Sequence, residues 1–303
     1  MDYHDIVHDF ENFLLQVSGA KETTKHQYSG YLQTFLRERF VHFSEKQLSE
    51  LTPIDVIQFM MKQKKINKIP TLKAMTTALR SFFRFLVIKG LCDDRLVSSV
   101  PAIADWKLSH IPKYLTKEQL EALLSSFDRE KVDGLRGYAI ALCLSRLGLR
   151  RSEVASLRLD DIEWRSGVIR LSEGKNRRTN ELPLPKDVGE AIVAYLRSGR
   201  PPTSERRIFV SHRHPLGAAL DGSAIGAIIR RGFKRTGLEL PSYGSHVLRH
   251  TIATHMIQQG VSIKEIADIL RHKSIDTTVI YTKVNIPMLA EVALPWPDSG
   301  RIL

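Results

Sequence analysis

The chain has 303 residues, 43% of them hydrophobic, and it carries 45 lysines and arginines against 33 acidic residues, a formal net charge of +12. This length and apolar content are typical of two packed domains and exclude a chain that is disordered throughout. The basic excess favours a polyanionic partner, although charge alone equally allows a basic protein with no such partner.

The chain has only two cysteines, Cys92 and Cys143, which are far apart and lie in apolar patterns typical of helices. We therefore expect buried thiols in a reducing compartment rather than a disulfide framework or a zinc site. The amino terminus is acidic and polar, unlike a signal peptide, and no apolar run approaches the length of a membrane span. These features predict a cytoplasmic protein.

The first hundred residues predict a small all-helical domain. Apolar positions recur at spacings of three and four in the segments Ile6–Val17, Tyr28–Phe40, Val56–Met61 and Leu72–Ile88. Ser44 with Gln47 matches a capping box, and Thr52-Pro53 is typical of a helix start. Basic residues outnumber acidic ones nine to two between positions 62 and 95, which predicts a basic face on this domain.

A second domain is predicted after a linker. The segment from Pro101 to Pro112 has no clear period and is bracketed by prolines, as extended linkers are. We place a helical domain at 1–105, the linker at 106–115 and the second domain at 116–303. Thr116 with Gln119 forms a capping box at the start of the first helix after the linker.

The second domain predicts helices around a small antiparallel sheet. Three short runs, Ile162–Trp164, Val168–Leu171 and Glu181–Leu184, are separated by turns at Ser166-Gly167 and Gly174–Asn176. Helical patterns resume at Lys186 and continue through Ser223–Thr236, His246–Gln259 and Ser262–Arg271. The predicted fold class is therefore mainly α with a small antiparallel β-sheet, in two domains.

Six residues of the second domain stand in an order that is rare by chance. They are Arg150 in Gly-Leu-Arg-Arg-Ser-Glu, Lys175 in Gly-Lys-Asn, His246 and Arg249 in His-Val-Leu-Arg-His, His272 in Leu-Arg-His, and Tyr281 nine positions later. At these residues the chain resembles the tyrosine recombinase, or phage integrase, family of site-specific DNA recombinases. The resemblance covers the carboxy-terminal two-thirds of the chain.

The resemblance implies a function for both domains. The first would be a core-binding domain of the SAM-like type and the second a tyrosine recombinase catalytic domain, together forming a C-shaped clamp on double-stranded DNA at a recombination site. Five of the six residues, Arg150, Lys175, His246, Arg249 and His272, would activate a DNA phosphate. Tyr281 would attack it and form a 3'-phosphotyrosyl bond. Neither a metal ion nor ATP nor another cofactor would be required.

The chemistry of these residues supports the resemblance. Each guanidinium presents a planar fork that binds phosphate oxygens bidentately. Taken alone, Arg150 also fits a surface arginine, as we expect Arg151 to be, and Lys175 fits a lysine that serves only solubility. A phenol with a pKa near 10 needs a base or nearby cations to act as a nucleophile, and an ordinary half-buried tyrosine remains the alternative for Tyr281.

Two histidines near Arg249 admit other interpretations. His246 and His250 share a helix face, as zinc ligands do, but no carboxylate ligand lies close by and no His-Glu-x-x-His pattern occurs, so we expect no metal site. His250 and His255 are interpreted as structural. The family commonly has glycine before the second histidine, where this chain has Arg271, so a backbone with positive φ at Arg271 would be strained.

DNA contacts are expected from basic residues at helical spacing. In the first domain these are Lys73, Arg80 and Arg84. In the second they are Arg230, Arg231 and Lys234, together with Arg177 and Arg178 next to the Lys175 turn. The apolar stripe of the tail, residues 285–303, would dock on a neighbouring protomer in a tetramer, with docking in its own chain as the alternative.

Two other functions remain open. One is a protein of the same architecture that bridges DNA without cleaving it. The other is a related strand-passage enzyme of the type IB topoisomerase kind that uses the same phosphotyrosine step. The biological role, whether phage integration, transposition, cassette exchange or dimer resolution, is not encoded in these motifs.

Overall fold

The computed structural model of the chain describes residues 3–40, 43–104, 112–173, 178–272, 274 and 276–281. The chain divides into two compact units, Met1–Lys107 and Leu108–Leu303. The described residues are mainly helical with one small antiparallel sheet, which confirms the predicted fold class. None of the helices in this described part combines the length and apolar character that a membrane crossing requires.

Within its described residues, the first unit contains helices joined by loops and no β-strand. Its helices are α1 (Tyr3–Gln16), α2 (Glu22–Arg39), α3 (Pro53–Ile66), α4 (Ile69–Ile88) and α5 (Arg95–Ser99). Helix α4 supplies the centre of the core, where the fully buried ring of Phe82 meets Phe10 of α1 edge-on at 5.4 Å. Such aromatic pairs add to the stabilisation that burial of each ring provides.

Cys92 corrects the sequence interpretation. It lies in the connection between α4 and α5 and is half-buried, whereas Cys143 is fully buried in a helix of the second unit. Burial raises the pKa of the Cys92 thiol to about 11 and that of Cys143 to about 12. Both thiols are therefore protonated near pH 7 and poor nucleophiles.

The second unit combines helices with the sheet. Its elements are α6 (Lys117–Ser125), α7 (Val132–Arg146), α8 (Arg151–Ser156), β1 (Ile162–Glu163), β2 (Val168–Glu173), β3 (Arg178–Pro183), α9 (Lys186–Ser198), α10 (Gly222–Thr236), α11 (His246–Gln258), α12 (Ile263–Ile269) and α13 (Asp276–Val279). The strands pair antiparallel in the order β1-β2-β3, with Ile169 of β2 opposite Leu182 of β3.

Helix α7 lies at the centre of the second unit. Every residue from Ala139 to Ser145 is buried, so this helix is surrounded by other elements on all sides. A smaller apolar cluster packs α11 and α12 against the turn that follows α13, through Ile257, Ile266, Leu270 and Tyr281. This cluster fixes the elements that carry most of the candidate catalytic residues.

The predicted linker is too long at its carboxyl end. Leu115 is fully buried in the core of the second unit, and its backbone N–H donates to Thr251 Oγ1 of α11 at 2.9 Å. A buried, hydrogen-bonded residue belongs to the packed unit rather than to an extended connection. Residues 106–111 of the predicted linker lie outside the described residues.

Candidate active site

A glycine turn leads into the first candidate arginine. Gly148 has φ +60°, and a Cβ at this position would lie 2.5 Å from Leu270 Cδ2. Only glycine satisfies both conditions, because other residues disfavour positive φ and have a side chain to accommodate. The turn thereby places Arg150 at the N-cap position of α8, directly against the end of α12.

Arg150 is held by two groups from different parts of the chain. Its Nη1 donates to Glu153 Oε1 at 2.7 Å, and its Nη2 donates to the Arg271 carbonyl at 2.8 Å. Glu153 also accepts the Arg150 backbone N–H at 2.7 Å. Burial alone would raise the pKa of Glu153, but that hydrogen bond and the charges of Arg271 and Arg150 lower it below its ordinary value. The Arg150 guanidinium is therefore pinned by an ionised carboxylate.

Arg249 lies beside it, buried in α11. Its Nη1 donates to the Gly148 carbonyl and its Nη2 to the Leu270 carbonyl. Burial, with the charge of Arg150, lowers the pKa of Arg249 to about 10, so it remains protonated near pH 7. The two arginines thus donate to the adjacent carbonyls of Leu270 and Arg271 at the end of α12, where the negative end of the helix dipole favours cations.

His246 begins α11, as the sequence predicts. Burial lowers its pKa, and three neighbouring guanidinium charges, that of Arg151 first, lower it further. Arg151 is exposed, as expected of a surface arginine, yet its Nη1 lies near Gly226 of α10, as does Nη1 of Arg230. The site is therefore more basic than Arg150 and Arg249 alone make it.

His272 faces the same charges. Its Nδ1 shares a 2.6 Å hydrogen bond with Thr278 Oγ1 of α13. Burial and the charges of Arg249 and Arg150 lower its pKa to about 4. The imidazole is therefore neutral near pH 7, and the Thr278 hydroxyl of α13 orients it.

Tyr281 ends the described chain and is 1% exposed. Its hydroxyl shares a 2.7 Å hydrogen bond with His250 Nδ1, and it belongs to the same buried cluster as Leu270 and Ile257. Burial raises the pKa of the phenol to about 12, against the lowering effect of the Arg249 charge, and burial lowers the pKa of His250 to about 4. Both groups are neutral near pH 7. The hydroxyl contacts His250, which directly follows Arg249 in α11.

Some predicted site residues fall outside what the structure describes. Lys175 and Arg177 lie in the undescribed segment 174–177, and Arg178 is described only as the first residue of β3. The tail residues 285–303 are also outside the described residues. In the described part of the chain, no group of three or more histidine, cysteine, aspartate or glutamate side chains is arranged to hold a metal ion.

The predicted DNA contacts of the first unit differ in exposure. Arg84 is exposed on α4, whereas Lys73 and Arg80 are half-buried, and Arg80 Nη2 donates to the Val100 carbonyl at 2.8 Å. On the second unit, the three predicted contacts of α10, Arg230, Arg231 and Lys234, are all exposed, and the opposite face of the helix is buried through residues such as Ile229 and Phe233. This helix therefore presents a basic face to solvent.

Three residues at the site were not assigned to it from the sequence. Glu153 carries a recognisable local signal, since it is the N3 residue of α8 and accepts the N-cap N–H. His250 was interpreted as structural, and Arg151 as a surface residue. His250 contacts Tyr281, and Arg151 lies with Arg230 beside Gly226. Both arrangements depend on tertiary packing.

Solved structures with a similar fold include two DNA-bound recombinases. A λ integrase dimer bound to a COC' core site has a TM-score of 0.69 and 18% sequence identity, covering 93% of this chain and 95% of that one. The XerH recombinase in a post-cleavage complex with a palindromic difH substrate has a TM-score of 0.70 and 19% identity, covering 94% of this chain and 83% of that one. At these identities the likeness establishes the fold.

Sequence relatives carry the comparison further. The model of the phage integrase family matches residues 113–286. The protein y4rA of Sinorhizobium fredii (strain NBRC 101917 / NGR234), which bears an integrase/recombinase name, is 41% identical over 97% of this chain and 71% of its own length. The tyrosine recombinase XerD of Listeria monocytogenes serovar 1/2a is 30% identical over 95% of this chain and 97% of its own. The chain belongs to the phage integrase family and is a tyrosine recombinase, a site-specific enzyme that cuts and rejoins DNA strands.

Proposed function

We propose that this recombinase cleaves DNA by transesterification at the site built around Arg150 and Arg249. The observation that carries the proposal is the convergence of these two guanidinium groups on adjacent carbonyls at the end of α12. Two cations held side by side suit the non-bridging oxygens of one phosphate, whose charge they stabilise as the reaction proceeds.

Tyr281 is the proposed nucleophile. Its oxygen forms a bond to phosphorus while the bond from phosphorus to the 5'-oxygen breaks, which gives a 3'-phosphotyrosyl link and a free 5'-hydroxyl. The proton of the phenol passes to a histidine of the site, and His246 is a better candidate than His272, whose pKa is lowered to about 4. The 5'-oxygen takes a proton from Lys175. The 5'-hydroxyl of a partner strand then attacks the link, so the bond energy is conserved and no nucleotide is consumed.

The proposed partners are duplex DNA and further copies of the chain. Basic residues of both units bind phosphates, with Lys73, Arg80 and Arg84 on the first and Arg177, Arg178, Arg230, Arg231 and Lys234 on the second. The tail, residues 285–303, joins protomers into a tetramer on DNA. The proposed location of the reaction is the cytoplasm.

Covalent capture of DNA tests the mechanism. A library of duplexes with a randomised core and a nick near the cleavage position is mixed with the full chain, and molecules that stay bound after denaturation are amplified. The selected duplex is expected to form a denaturation-resistant adduct with the wild-type chain and none with Tyr281→Phe. Tyr195→Phe is the matched control, because Tyr195 is a fully buried tyrosine of the same unit whose hydroxyl contacts His212 and the Val210 backbone rather than a residue of the proposed site.

Two results would count against this function. Adduct formation by Tyr281→Phe would show that another group attacks the phosphorus, and the absence of any adduct with the wild-type chain would favour a protein that binds DNA without cleaving it. Sequencing the products separates the remaining possibility. Strands exchanged between two duplexes identify a recombinase, whereas relaxed circles alone identify a strand-passage enzyme.

A further inference from the structure

The turn that ends α12 contains Arg271, an unusual residue for its position. The backbone N–H of Arg271 donates to the Asp268 carbonyl at 3.0 Å and that of His272 to the Ala267 carbonyl at 2.9 Å. These two bonds form a Schellman motif, in which the residue at the position of Arg271 adopts the left-handed conformation and is usually glycine. Arg271 has φ +54°, the only positive φ of a non-glycine residue in the described chain. This conformation is strained for an arginine.

The side chain of Arg271 closes a ring with Arg150. Its Nη2 lies 2.9 Å from Glu153 Oε2, and its side chain is only 4% exposed. The other oxygen of the same carboxylate accepts from Arg150 Nη1 at 2.7 Å, and Arg150 Nη2 returns to the Arg271 carbonyl at 2.8 Å. Three residues from α8 and from the end of α12 therefore hold one another, and both the backbone and the side chain of Arg271 take part.

The ring also sets the charge available to a phosphate. With Arg150 alone, the carboxylate of Glu153 would cancel the positive charge of the guanidinium it contacts. Because Glu153 is shared between two guanidinium groups, the three side chains together keep one positive charge. That excess lies next to Arg249, on the side of the site where the phosphate is proposed to bind.

We infer that Arg271 is a positioning residue that fixes the Arg150 guanidinium and offsets the charge of Glu153, so that Arg150 acts on the phosphate with its full charge. This inference rests on the proposed role of Arg150 and deepens it. In this chain an arginine at the turn has a task that a glycine at the same position cannot perform, because glycine supplies the turn without the second cation.

A pair of substitutions with equal backbone strain tests the inference. Arg271→Lys keeps a cation within reach of Glu153, whereas Arg271→Met keeps a long side chain but no charge. A third variant, Arg271→Gly, removes the strained conformation together with the side chain. For each full-length protein, the rate of adduct formation is measured in single-turnover reactions on the nicked duplex selected with the wild-type chain. Affinity for the uncleaved duplex and Tm are measured alongside.

The rate of adduct formation is expected to depend on the charge of the side chain at position 271. Arg271→Met and Arg271→Gly should form the adduct about tenfold to a hundredfold more slowly than the wild-type chain, the range expected when a catalytic group is misplaced or weakened by a neighbour. Arg271→Lys should form the adduct at least tenfold faster than Arg271→Met. Duplex affinity should change by no more than about threefold, since many other phosphate contacts remain.

Arg136→Met is the matched control. Arg136 is the other buried arginine of this unit that pairs with a carboxylate, through Nη2 to Asp133 Oδ1 at 2.6 Å, and it lies outside the proposed site. Its loss should lower Tm and leave the adduct rate of the folded protein unchanged. A purely structural role for Arg271 would give the same result for Arg271→Met.

The outcomes separate this inference from the function on which it rests. Equal adduct rates for Arg271→Lys and Arg271→Met, or a wild-type rate for Arg271→Gly, overturn the role of Arg271 while the mechanism stands. If the wild-type chain captures no duplex, or Tyr281→Phe captures it equally well, the proposed function fails and the inference falls with it. The Lys and Met pair remains decisive if the glycine variant does not fold.

Discussion

At the scale of single residues, Tyr281 and His250 form a neutral pair in the structure. A proton transfer from a phenol with pKa near 12 to an imidazole with pKa near 4 is uphill by on the order of 10 kcal/mol. His250 is therefore a poor base for Tyr281 where the two groups now lie. Under the proposed mechanism this arrangement is a resting one, and attack on phosphorus requires the Tyr281 hydroxyl to give up its hydrogen bond to His250.

The low pKa values of His250 and His272 predict how stability depends on pH. Both lie near 4 in the folded protein, below the ordinary value of 6.5. Between these limits the unfolded chain binds more protons than the folded chain, so stability is present above about pH 6.5 and is lost as the pH falls towards 4. We expect the free energy of unfolding, measured by urea titration, to fall over this window.

Replacing His250 measures how much of that loss of stability this residue contributes. His250→Gln removes one of the two groups, so its free energy of unfolding should decline less between pH 6.5 and 4.5 than that of the wild-type chain, even if it starts lower. His214→Gln, at an exposed histidine of the same unit, is the control and should keep the wild-type decline. An equal decline in His250→Gln would mean that folding does not lower the pKa of His250.

Residue identities indicated candidates for the site but not their contacts. The order and spacing of Arg150, His246, Arg249, His272 and Tyr281 identified them as candidates. The ion pair between Arg271 and Glu153 joins positions 118 apart in the chain, and local patterns contain no information about such a separation. The sequence did indicate strain at Arg271, and its positive φ confirms the expectation. What offsets that strain depends on the packing of α8 against α12.

At the scale of elements, capping residues decided which boundaries were predictable. Helices α3, α6 and α12 begin where Thr52, Thr116 and Ser262 accept backbone N–H groups, at the positions that the sequence indicates. Helices α2 and α4 begin earlier than their apolar periods do, after Lys21 and Lys68, whose side chains make no capping hydrogen bond. Without a cap, tertiary packing determines how far the first turn extends.

The turn before α8 gives a prediction about element packing. Gly148→Ala places a Cβ in a left-handed conformation and 2.5 Å from Leu270 Cδ2. The strain costs about 1 to 2 kcal/mol and the overlap about 1 to 3 kcal/mol more, measured as the free energy of unfolding in urea. Adduct formation should also slow, because the Gly148 carbonyl holds Arg249.

Gly167 offers a control with the same backbone conformation. It has φ +64°, and nothing lies within 4 Å of a Cβ at that position. Gly167→Ala should therefore cost only the conformational part, about 1 to 2 kcal/mol, and leave adduct formation intact. If both substitutions destabilise the chain equally, the contact between Gly148 and α12 is looser than the structure shows, and the turn does not determine the placement of Arg150.

At the scale of the whole molecule, the positive charge is unevenly distributed. Residues 1–105 contain 14 basic and 12 acidic side chains, so most of the net charge of +12 belongs to the second unit. On α10, Arg230, Arg231 and Lys234 are exposed and form no salt bridge within the described residues, whereas many other exposed bases of the unit pair with carboxylates, as Arg206 does with Asp160. Exposed cations that are not offset by acids dominate attraction to a polyanion.

The dependence of DNA binding on salt tests this distribution. Replacing Arg230, Arg231 and Lys234 together by alanine should flatten the plot of log affinity against log salt concentration by roughly 2 to 3, because each phosphate contact contributes about 0.9 to the slope. The control removes three other exposed bases of the same unit, Arg170, Lys186 and Arg206, each of which pairs with a carboxylate. Both variants lose the same formal charge. Equal slopes for the two would show that net charge rather than the face of α10 attracts DNA, and would remove this helix from the proposed DNA surface.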